Sequence, residues 1–330
     1  MRTGTLFGLA TLLIGGLIWD VQHQLNTPSV LQKSITFDIP PGSGFSSVRE
    51  RLRSQGVLNP RSAFYLTFWT IGTGSGSRVR AGEYRLTPEQ TPLQVMQLLL
   101  SGKTFQHQLT LIEGWSFQQA LKAVMSHPAL KITLKGKSPA EIMAAVGEPR
   151  QHPEGRFLPE TYRFTKGTTD LAFLKRANRA MQIVLDETWK VRQDDLPYKT
   201  PDQALVMASI VERETSAEEE RAVIAGVFVR RLRIGMRLQT DPTVIYGLGA
   251  TFDGNLRRRD LRRDTPYNTY TRKGLPPTPI CLPGRDSLQA AMHPADGDSL
   301  YFVSRGDGTH QFSATLDQHT AAVRRYQLKR

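Results

Sequence analysis

Two glutamates near the middle of the chain are the side chains best suited to proton transfer. Glu212 and Glu214 lie in MASIVERET (207–215), at the end of a segment whose apolar spacing predicts a helix. At about 100° per residue they point in nearly opposite directions. Glu214 continues the apolar stripe of Met207 and Ile210, which should raise its pKa toward that of a general acid. Spacing alone also fits two ordinary helix-end glutamates paired with nearby basic residues.

Two polar stretches further along the chain are rich in aromatic, amide and hydroxyl side chains. IGMRLQTDPTVIYGLG (234–249) places Gln239 and Asp241 in what we predict to be a turn-rich loop rather than a helix. TPYNTY (265–270) adds Tyr267, an asparagine and further hydroxyls. Such side chains suit a groove for hexoses, which present apolar ring faces and many hydroxyls. The same composition also fits a pair of well-capped loops.

The elements that must position these residues are mainly helices. Apolar periodicity predicts helices at about 169–192 and 201–214, the second of which carries both glutamates. A third helix is predicted to begin at Ser216, because Ser216 and Glu219 have the spacing of a capping box. Beyond Gly235 the pattern predicts three further elements: a helix near 286–292, a strand near 300–304 and a last helix from about Thr315.

The N-terminal residues 6–19 (LFGLATLLIGGLIW) are apolar and uncharged. Arg2 precedes them and Asp20 follows, a charge order that favours a cytoplasmic N-terminus. Counted from 3 to 21 the stretch approaches the length of a bilayer span, and no small-x-small cleavage site follows. We predict an uncleaved transmembrane anchor with its stalk over residues 1–33, in preference to a cleaved signal peptide or a buried soluble helix.

Two strand-and-helix units follow the anchor. The alternating segments ITFDIP (35–40) and AGEYRL (81–86) predict strands, and an apolar helical pattern follows each. We predict a small α/β module at 34–105 and a mixed α/β domain at 106–330. Their boundary lies between 105 and 150, because residues 131–153 are polar and poorly patterned. The predicted fold class is α+β.

Charge and cysteine content narrow the range of partners and stabilising features. The chain has 330 residues and a formal charge of +13, with a pI near 10.0, which predicts attraction to an anionic partner. Nucleic acid, an acidic lipid surface and an anionic cell-wall polymer all fit. With Cys281 as its single cysteine the chain forms no intramolecular disulfide, and no Cys/His cluster has zinc-site spacing.

The segments described above resemble the endolytic murein transglycosylase family of the MltG (YceG-like) type, from the anchor to the C-terminus. Besides MASIVERET and the two polar stretches, the most specific runs are GLPPTPICLPGRDSLQAAMHP (274–294), YFV (301–303) and HQFSATLDQH (310–319). IPPGSGFSSV (39–48) and AGEYRL make the small module similar to the family's LysM-like subdomain. EGRFLPETY (154–162) resembles the segment that enters the family's catalytic domain.

The resemblance implies that Glu214 is the catalytic residue of a lytic transglycosylase. It would protonate the oxygen that joins N-acetylmuramic acid to N-acetylglucosamine, and then take the proton of the C6 hydroxyl. That hydroxyl closes onto C1 and leaves a 1,6-anhydromuramyl end. No metal or other cofactor is required, because the nucleophile belongs to the substrate. The residues expected to orient sugar and acetamido groups are Gln239, Asp241, Tyr267 and Asn268, with Glu154 supporting the pocket.

The resemblance also implies a location and partners. The anchor would lie in the inner (cytoplasmic) membrane as a single pass, with the catalytic domain in the periplasm. Peptidoglycan glycan strands are the expected substrate, and cleavage would end the elongation of nascent strands. The expected protein partners are peptidoglycan synthases of the elongation machinery.

Two other functions stay open on the sequence alone. Arginine runs at 257–259 and 262–263 suit a nucleic-acid-binding protein, but no recognised motif accompanies them and the predicted anchor exports the domain, so we expect no nucleic-acid partner. A non-catalytic peptidoglycan-binding scaffold would keep Glu214 only as a relic. Its loops would not need to retain the full set around Glu214. Only an enzyme would yield anhydro-ended products.

Overall fold

The computed structural model describes residues 2–29 and 31–328. Helices dominate, and the strands form small two-stranded sheets, which confirms the predicted α+β class. The chain divides into two compact units. The first unit is Met1–His107 with Phe164–Gly167, and the second is Gln108–Arg163 with Thr168–Arg330.

The first part of the chain alternates helices and strands. Its elements are α1 (Arg2–Asn26), β1 (Ile35–Ile39), α2 (Phe45–Ser54), α3 (Pro60–Thr73), a 3₁₀ turn (Gly76–Arg78), β2 (Gly82–Leu86) and α4 (Pro92–Ser101).

The remainder is mostly helical. Its elements are β3 (His107–Thr110), α5 (Phe117–Ser126), α6 (Pro139–Val146), β4 (Thr161–Phe164), α7 (Asp170–Lys190), α8 (Pro201–Glu214), α9 (Glu218–Arg233), α10 (Asp241–Leu248), a 3₁₀ turn (Gly249–Thr251), α11 (Arg258–Arg262), α12 (Arg285–Met292), β5 (Tyr301–Ser304), β6 (His310–Ser313) and α13 (Leu316–Tyr326).

The first unit is built on the antiparallel pair β1 and β2, in which Ile35 lies opposite Leu86. Alternation along the strands buries one face, including Phe37 and Tyr84, against α2, α3 and α4. The last turns of α1 join this core through Leu25. Both strands match the predicted segments, since an alternating pattern with one buried face specifies register strongly.

The exposed N-terminal part of α1 includes the apolar residues 11–19. Among the residues that the structure describes, no helix combines the length and the apolarity needed to cross a membrane. The predicted transmembrane anchor is therefore not confirmed.

The core of the second unit surrounds α8. Every residue from Ala204 to Val211 is buried, and all but Ser209 are apolar, so no side of the helix faces solvent over two turns. It packs against α7, α9, α10 and α12. Because α8 ends at Glu214, this packing fixes the position of the backbone that carries Glu212 and Glu214.

A hairpin and the last helix complete the second unit. β5 pairs antiparallel with β6, with Phe302 opposite Phe312, and α13 packs on both strands. Phe302 also packs edge-on against Phe228 of α9, with ring centroids 5.7 Å apart. These contacts join the hairpin to the helical core.

The predicted capping box at Ser216 is wrong. The helix begins at Glu218 with Ala217 at its N-cap, and no side chain caps it. Instead, the hydroxyl of Thr215 accepts a hydrogen bond from the Ala217 N–H. The N3 residue is then Glu220, whose carboxylate bonds to His310 rather than to the helix end.

The prediction that 234–249 forms a loop throughout is also wrong. Residues from Asp241 onward form α10, whose first turn contains Pro242. Proline fits that turn because the first N–H groups of a helix have no intrahelical partner. The polar stretch 131–153 likewise contains α6, which a capping box of Ser138 and Glu141 begins.

Candidate active site

Glu214 is the last residue of α8, and its side chain lines an open cleft of about 540 Å³. The helix ends there because Thr215 is extended, with φ −145° and ψ 144°. The loop before α10, the β5–β6 hairpin and α13 border the cleft. Its polar lining includes Arg231, Gln239, Asp241, Tyr270, Tyr301 and His310.

The environment of Glu214 suits proton transfer. Burial raises the pKa of its carboxyl group to about 7. The Thr240 hydroxyl donates a hydrogen bond to Glu214 Oε1, which stabilises the carboxylate and limits this rise. The negative charge of Asp241 adds to the rise, whereas His310 and Arg231 oppose it. Near neutral pH both protonation states are populated, so the group can donate a proton and later accept one.

Glu212 points to a different part of the fold. Its Oε2 accepts a hydrogen bond of 2.9 Å from the N–H of Gly284, the N-cap residue of α12. A carboxylate at this position satisfies a free N–H and interacts favourably with the helix dipole. The two glutamates thus diverge, and Glu212 has a structural partner while Glu214 faces the cleft.

A strained backbone conformation at Gln239 helps to direct the Thr240 side chain toward Glu214. Gln239 has φ +52°, a left-handed conformation that costs a non-glycine residue on the order of 1–3 kcal/mol. Its N–H donates to the Thr269 carbonyl at 3.2 Å, and the Thr240 N–H donates to Thr269 Oγ1 at 3.0 Å. The TPYNTY segment therefore fixes both the strained residue and the hydrogen-bond donor that follows it.

Asp241 brings a second carboxylate to the cleft. The hydroxyl of Tyr270 donates a hydrogen bond of 2.5 Å to Asp241 Oδ1. Burial, and then this hydrogen bond, raise the pKa of Tyr270, so its hydroxyl stays a donor. Asp241 also begins α10, where the helix dipole favours negative charge. These contacts hold Asp241 as a fixed acceptor in the cleft.

Arg231 supplies positive charge to the cleft. Its Nε donates to the Leu300 carbonyl and its Nη1 to the Leu238 carbonyl, both at 2.6 Å. The guanidinium carbon lies 5.3 Å from the centroid of the Tyr301 ring. Arg231 was not among the predicted site residues. In the sequence it is one of three arginines in the last turn of α9, and the local pattern does not distinguish it from Arg230 and Arg233.

His310 on β6 is held by a buried carboxylate. Its N–H donates to Glu220 Oε1 at 2.8 Å, and its ring Nδ1 lies 2.6 Å from Glu220 Oε2. The two contacts fix the ring orientation at the cleft wall. Sequence reasoning missed this residue as a site residue, although HQFSATLDQH contains it. The partner glutamate is 90 residues away in the chain.

The structure brings together only some of the predicted site residues. Glu214, Gln239 and Asp241 line the cleft, whereas Tyr267 and Asn268 are absent from the described lining. The Tyr267 ring packs 4.9 Å from Tyr246, centroid to centroid. The buried Asn268 Nδ2 donates to the carbonyls of three residues, namely Asp260, Leu261 and Arg263. These contacts indicate that both side chains stabilise the loops behind the cleft.

Among the residues that the structure describes, Glu154 is not part of the cleft lining either. It is buried, with 3% of its surface exposed. Its Oε1 accepts from the Phe117 N–H at 2.8 Å, and its Oε2 accepts from the Tyr246 hydroxyl at 3.1 Å. Burial raises the pKa of Glu154 to about 7, against the opposing effect of these hydrogen bonds. Through Tyr246 it holds α10, the helix that begins at Asp241.

The described residues contain no group of three or more His, Cys, Asp or Glu side chains arranged to hold a metal ion. Cys281 is buried, and its thiol donates to the Ser209 carbonyl at 3.3 Å. Burial raises the pKa of this thiol well above its ordinary value, so it is a poor nucleophile. The cleft itself presents the carboxyl group of Glu214 for proton transfer, with the Asp241 carboxylate and the Arg231 guanidinium in the same lining.

Comparison with known proteins gives consistent similarities. The endolytic murein transglycosylase of Bacillus subtilis (strain 168) is 31% identical over 315 residues, which cover 89% of this chain and 85% of the relative. The endolytic murein transglycosylase of Streptococcus pneumoniae serotype 2 (strain D39 / NCTC 7466) is 26% identical over 308 residues. That alignment covers 83% of this chain and 54% of the relative, so the chain spans about half of the streptococcal protein.

A solved structure and a family model agree with these relatives. The crystal structure of a protein described as YceG-like, from Listeria monocytogenes, superposes with a TM-score of 0.56 and 31% identity. The match covers 88% of this chain and 99% of that one. The model of the YceG-like family matches residues 37–325, which include every cleft residue described above. The chain therefore belongs to the YceG-like family.

Proposed function

We propose that this protein is an endolytic lytic transglycosylase that cleaves the bond between N-acetylmuramic acid and N-acetylglucosamine in peptidoglycan. The observation that carries the proposal is the carboxyl group of Glu214, which lies in an open cleft with a pKa raised to about 7. The relatives named endolytic murein transglycosylases support the same activity.

Glu214 performs both proton transfers. In its protonated form it donates to the bridging oxygen, the bond from that oxygen to C1 breaks, and N-acetylglucosamine leaves with a free hydroxyl. The resulting carboxylate accepts the proton of the C6 hydroxyl as the C6 oxygen bonds to C1. The product is a 1,6-anhydromuramyl end, and Glu214 is again protonated. The Thr240 hydroxyl stabilises the carboxylate that exists between the two steps.

Gln239 and Asp241 orient the glycan. Both line the same cleft as Glu214, and the hydrogen bond from Tyr270 holds the Asp241 carboxylate in place. Tyr267, Asn268 and Glu154 act from behind the cleft, because their polar atoms are engaged with the fold. For Tyr267 and Asn268 this replaces the sugar-binding role suggested by sequence.

The N-terminal region anchors the enzyme. The apolar residues 6–19 of α1 form a single-pass anchor in the inner membrane, with the N-terminus in the cytoplasm and the second unit in the periplasm. The first unit is a LysM-like module that contributes to glycan binding, and the protein acts on nascent strands beside peptidoglycan synthases. A reporter fused after Arg330 should be active only outside the cytoplasm. Recovery of a mature protein that lacks the first two dozen residues would refute the anchor.

Muropeptide analysis tests the catalytic assignment. Purified peptidoglycan treated with the wild-type protein should release products with 1,6-anhydromuramyl ends, identified by mass spectrometry. Glu214→Gln keeps the size of the side chain but cannot donate the proton, so product formation should fall by about 10²- to 10⁴-fold or more.

Glu212→Gln is the matched control, since it makes the same change on the same helix. Its amide oxygen can still accept from the Gly284 N–H, so activity should change little. An inactive Glu212→Gln variant beside an active Glu214→Gln variant would move the catalytic role to Glu212. A wild-type protein that binds peptidoglycan but forms no anhydro ends would indicate the scaffold function instead.

A further inference from the structure

Helix α3 of the first unit has two apolar faces, of which only one is buried. Ala63 and Leu66 pack in the core, whereas Phe64, Phe68 and Ile71 are 57%, 60% and 71% exposed. These three follow the spacing i, i+4, i+7, so they form one stripe along the helix. We call them the α3 stripe. Large apolar side chains in such an arrangement usually mark a binding surface.

The α3 stripe extends along the apolar part of α1. Asn59 Nδ2 donates to Gln24 Oε1 at 3.0 Å, and the Tyr65 hydroxyl donates to Asp20 Oδ2 at 2.5 Å. The order of these contacts shows that α3 runs antiparallel to α1. The turns of α3 beyond Tyr65 therefore continue toward the exposed apolar residues 11–19 of α1.

Helix geometry gives the extent of this overlap. Ile71 is six residues beyond Tyr65, which corresponds to about 9 Å along the helix axis. The same distance along α1 leads from Asp20 back to about Ile14, which is itself 60% exposed. The α3 stripe and the apolar part of α1 thus form one continuous apolar surface, about 9 Å deep from the level of Asp20.

The charges of this region lie outside that surface. No charged residue occurs between Arg61 and Arg78, although α3 is an exposed helix. Arg61, which is near Asp20 at 3.7 Å, lies at the level where the apolar part of α1 ends. Arg49 lies beside α3, since its Nη1 donates a hydrogen bond of 2.6 Å to Thr67 Oγ1. An apolar surface bordered by arginines complements the acyl region and the anionic headgroups of a bilayer.

We propose that the α3 stripe inserts into the outer leaflet of the membrane beside α1, so that the C-terminal half of α3 enters the bilayer end-on. This inference rests on the proposed membrane anchor and extends it to the folded module. The depth of about 9 Å is less than the roughly 15 Å of hydrocarbon in one leaflet, so the end of α3 would stay within the outer leaflet. A single spanning helix leaves the module free to rotate about the helix axis. The second contact fixes which side of the module faces the bilayer.

Site-directed spin labelling of the full-length chain tests this insertion. Labels are attached to Phe68→Cys and, separately, to Ile71→Cys in a Cys281→Ser background. The protein is reconstituted in vesicles of phosphatidylethanolamine and phosphatidylglycerol. Membrane-soluble oxygen and a water-soluble nickel chelate then compete as relaxation agents. Both labels should collide with oxygen several-fold more often than with the chelate. Because both side chains are exposed, the changes should leave the fold intact, which circular dichroism checks.

Two further labels separate this proposal from the anchor on which it rests. Leu13→Cys reports insertion of α1, and Ser54→Cys, at the exposed end of α2, should favour the nickel chelate. Labels at 68 and 71 that favour the chelate, beside a lipid-exposed label at 13, would overturn the insertion of α3 and leave the anchor intact. Aqueous labels at all positions would overturn both. Labels at 68 and 71 shielded from both agents would indicate a protein partner or a second copy, which also overturns insertion.

Discussion

Replacing Thr240 with valine should shift the pH dependence of glycan cleavage to higher pH. The Thr240 hydroxyl donates to Glu214 Oε1 and thereby favours the carboxylate. Without it, the pKa of Glu214 should rise above its value of about 7. A hydrogen bond to a charged group contributes about 1.5–3 kcal/mol. One pKa unit corresponds to about 1.4 kcal/mol, so the expected rise is about 1 to 2 units.

The sign follows from the first proton transfer. In the proposed mechanism only protonated Glu214 donates to the bridging oxygen, so the rate should fall as the pH rises through its pKa. In Thr240→Val this falling limb should lie about 1 to 2 pH units higher than in the wild type. The measurement is kcat/KM for the release of anhydro-ended products across the pH range in which the protein stays folded.

Thr243→Val is the control for loss of a buried hydroxyl. Thr243 Oγ1 donates to the Thr240 carbonyl at 2.8 Å and lies 2.9 Å from Thr269 Oγ1, but it makes no hydrogen bond to Glu214. Its loss should lower stability and leave the falling limb nearly unchanged. A limb that stays in place in Thr240→Val, or moves to lower pH, would refute the role assigned to Thr240.

Three other substitutions test the charges and supports of the cleft. Asp241→Asn removes a negative charge that raises the pKa of Glu214, so the falling limb should move to lower pH in the same assay. Glu214 has its pKa raised from 4.5 to about 7, so its contribution to stability is complete below pH 4.5 and is lost as pH rises through 7. The free energy of unfolding of Glu214→Gln, relative to that of the wild type, should therefore increase by about 3 kcal/mol from acidic to alkaline pH, as measured by urea unfolding. Tyr246→Phe leaves Glu154 Oε2 without its donor, so thermal unfolding should reveal a loss of about 1–3 kcal/mol.

Long apolar patterns allowed much of the fold to be predicted. The helix expected at 201–214 is α8 (Pro201–Glu214), and the strand expected near 300–304 is β5 (Tyr301–Ser304). Such elements are recognisable because each buries a face whose spacing is present in the local sequence. The strands β4 and β6 were not predicted, although β5, which is equally short, was.

Ambiguous local signals account for the errors at helix starts. The stretch 234–249 is predicted to be a turn-rich loop, yet its Pro242 lies in the first turn of α10, where proline is compatible with a helix. Ser216 and Glu219 had capping-box spacing, but the helix starts two residues later. Serine, proline and glutamate suit both turns and helix starts, and the contacts of Glu220 with β6 could not be seen in the local pattern.

The candidate site could be predicted only where its residues act through local spacing. The helical face distinguished Glu214 from Glu212, and the structure gives the two carboxylates different partners. The hydrogen bond from Thr240 joins residues 26 positions apart, and that between Asn268 and Arg263 uses an amide that had been expected to face the sugar. Composition identifies polar side chains but does not show whether the backbone has already engaged them.

The two sides of the cleft, α8 on one and the β5–β6 hairpin with α13 on the other, differ in burial. This difference affects how the specificity of the cleft for glycans can evolve. α8 is buried on all sides from Ala204 to Val211, so a substitution there creates a cavity or a clash. The hairpin turn and much of α13 on the other wall are exposed. Changes on that wall alter the surface offered to a glycan at little cost in folding. We expect variants with altered glycan preference to accumulate substitutions in the hairpin and α13, while α8, which carries Glu214, stays constant.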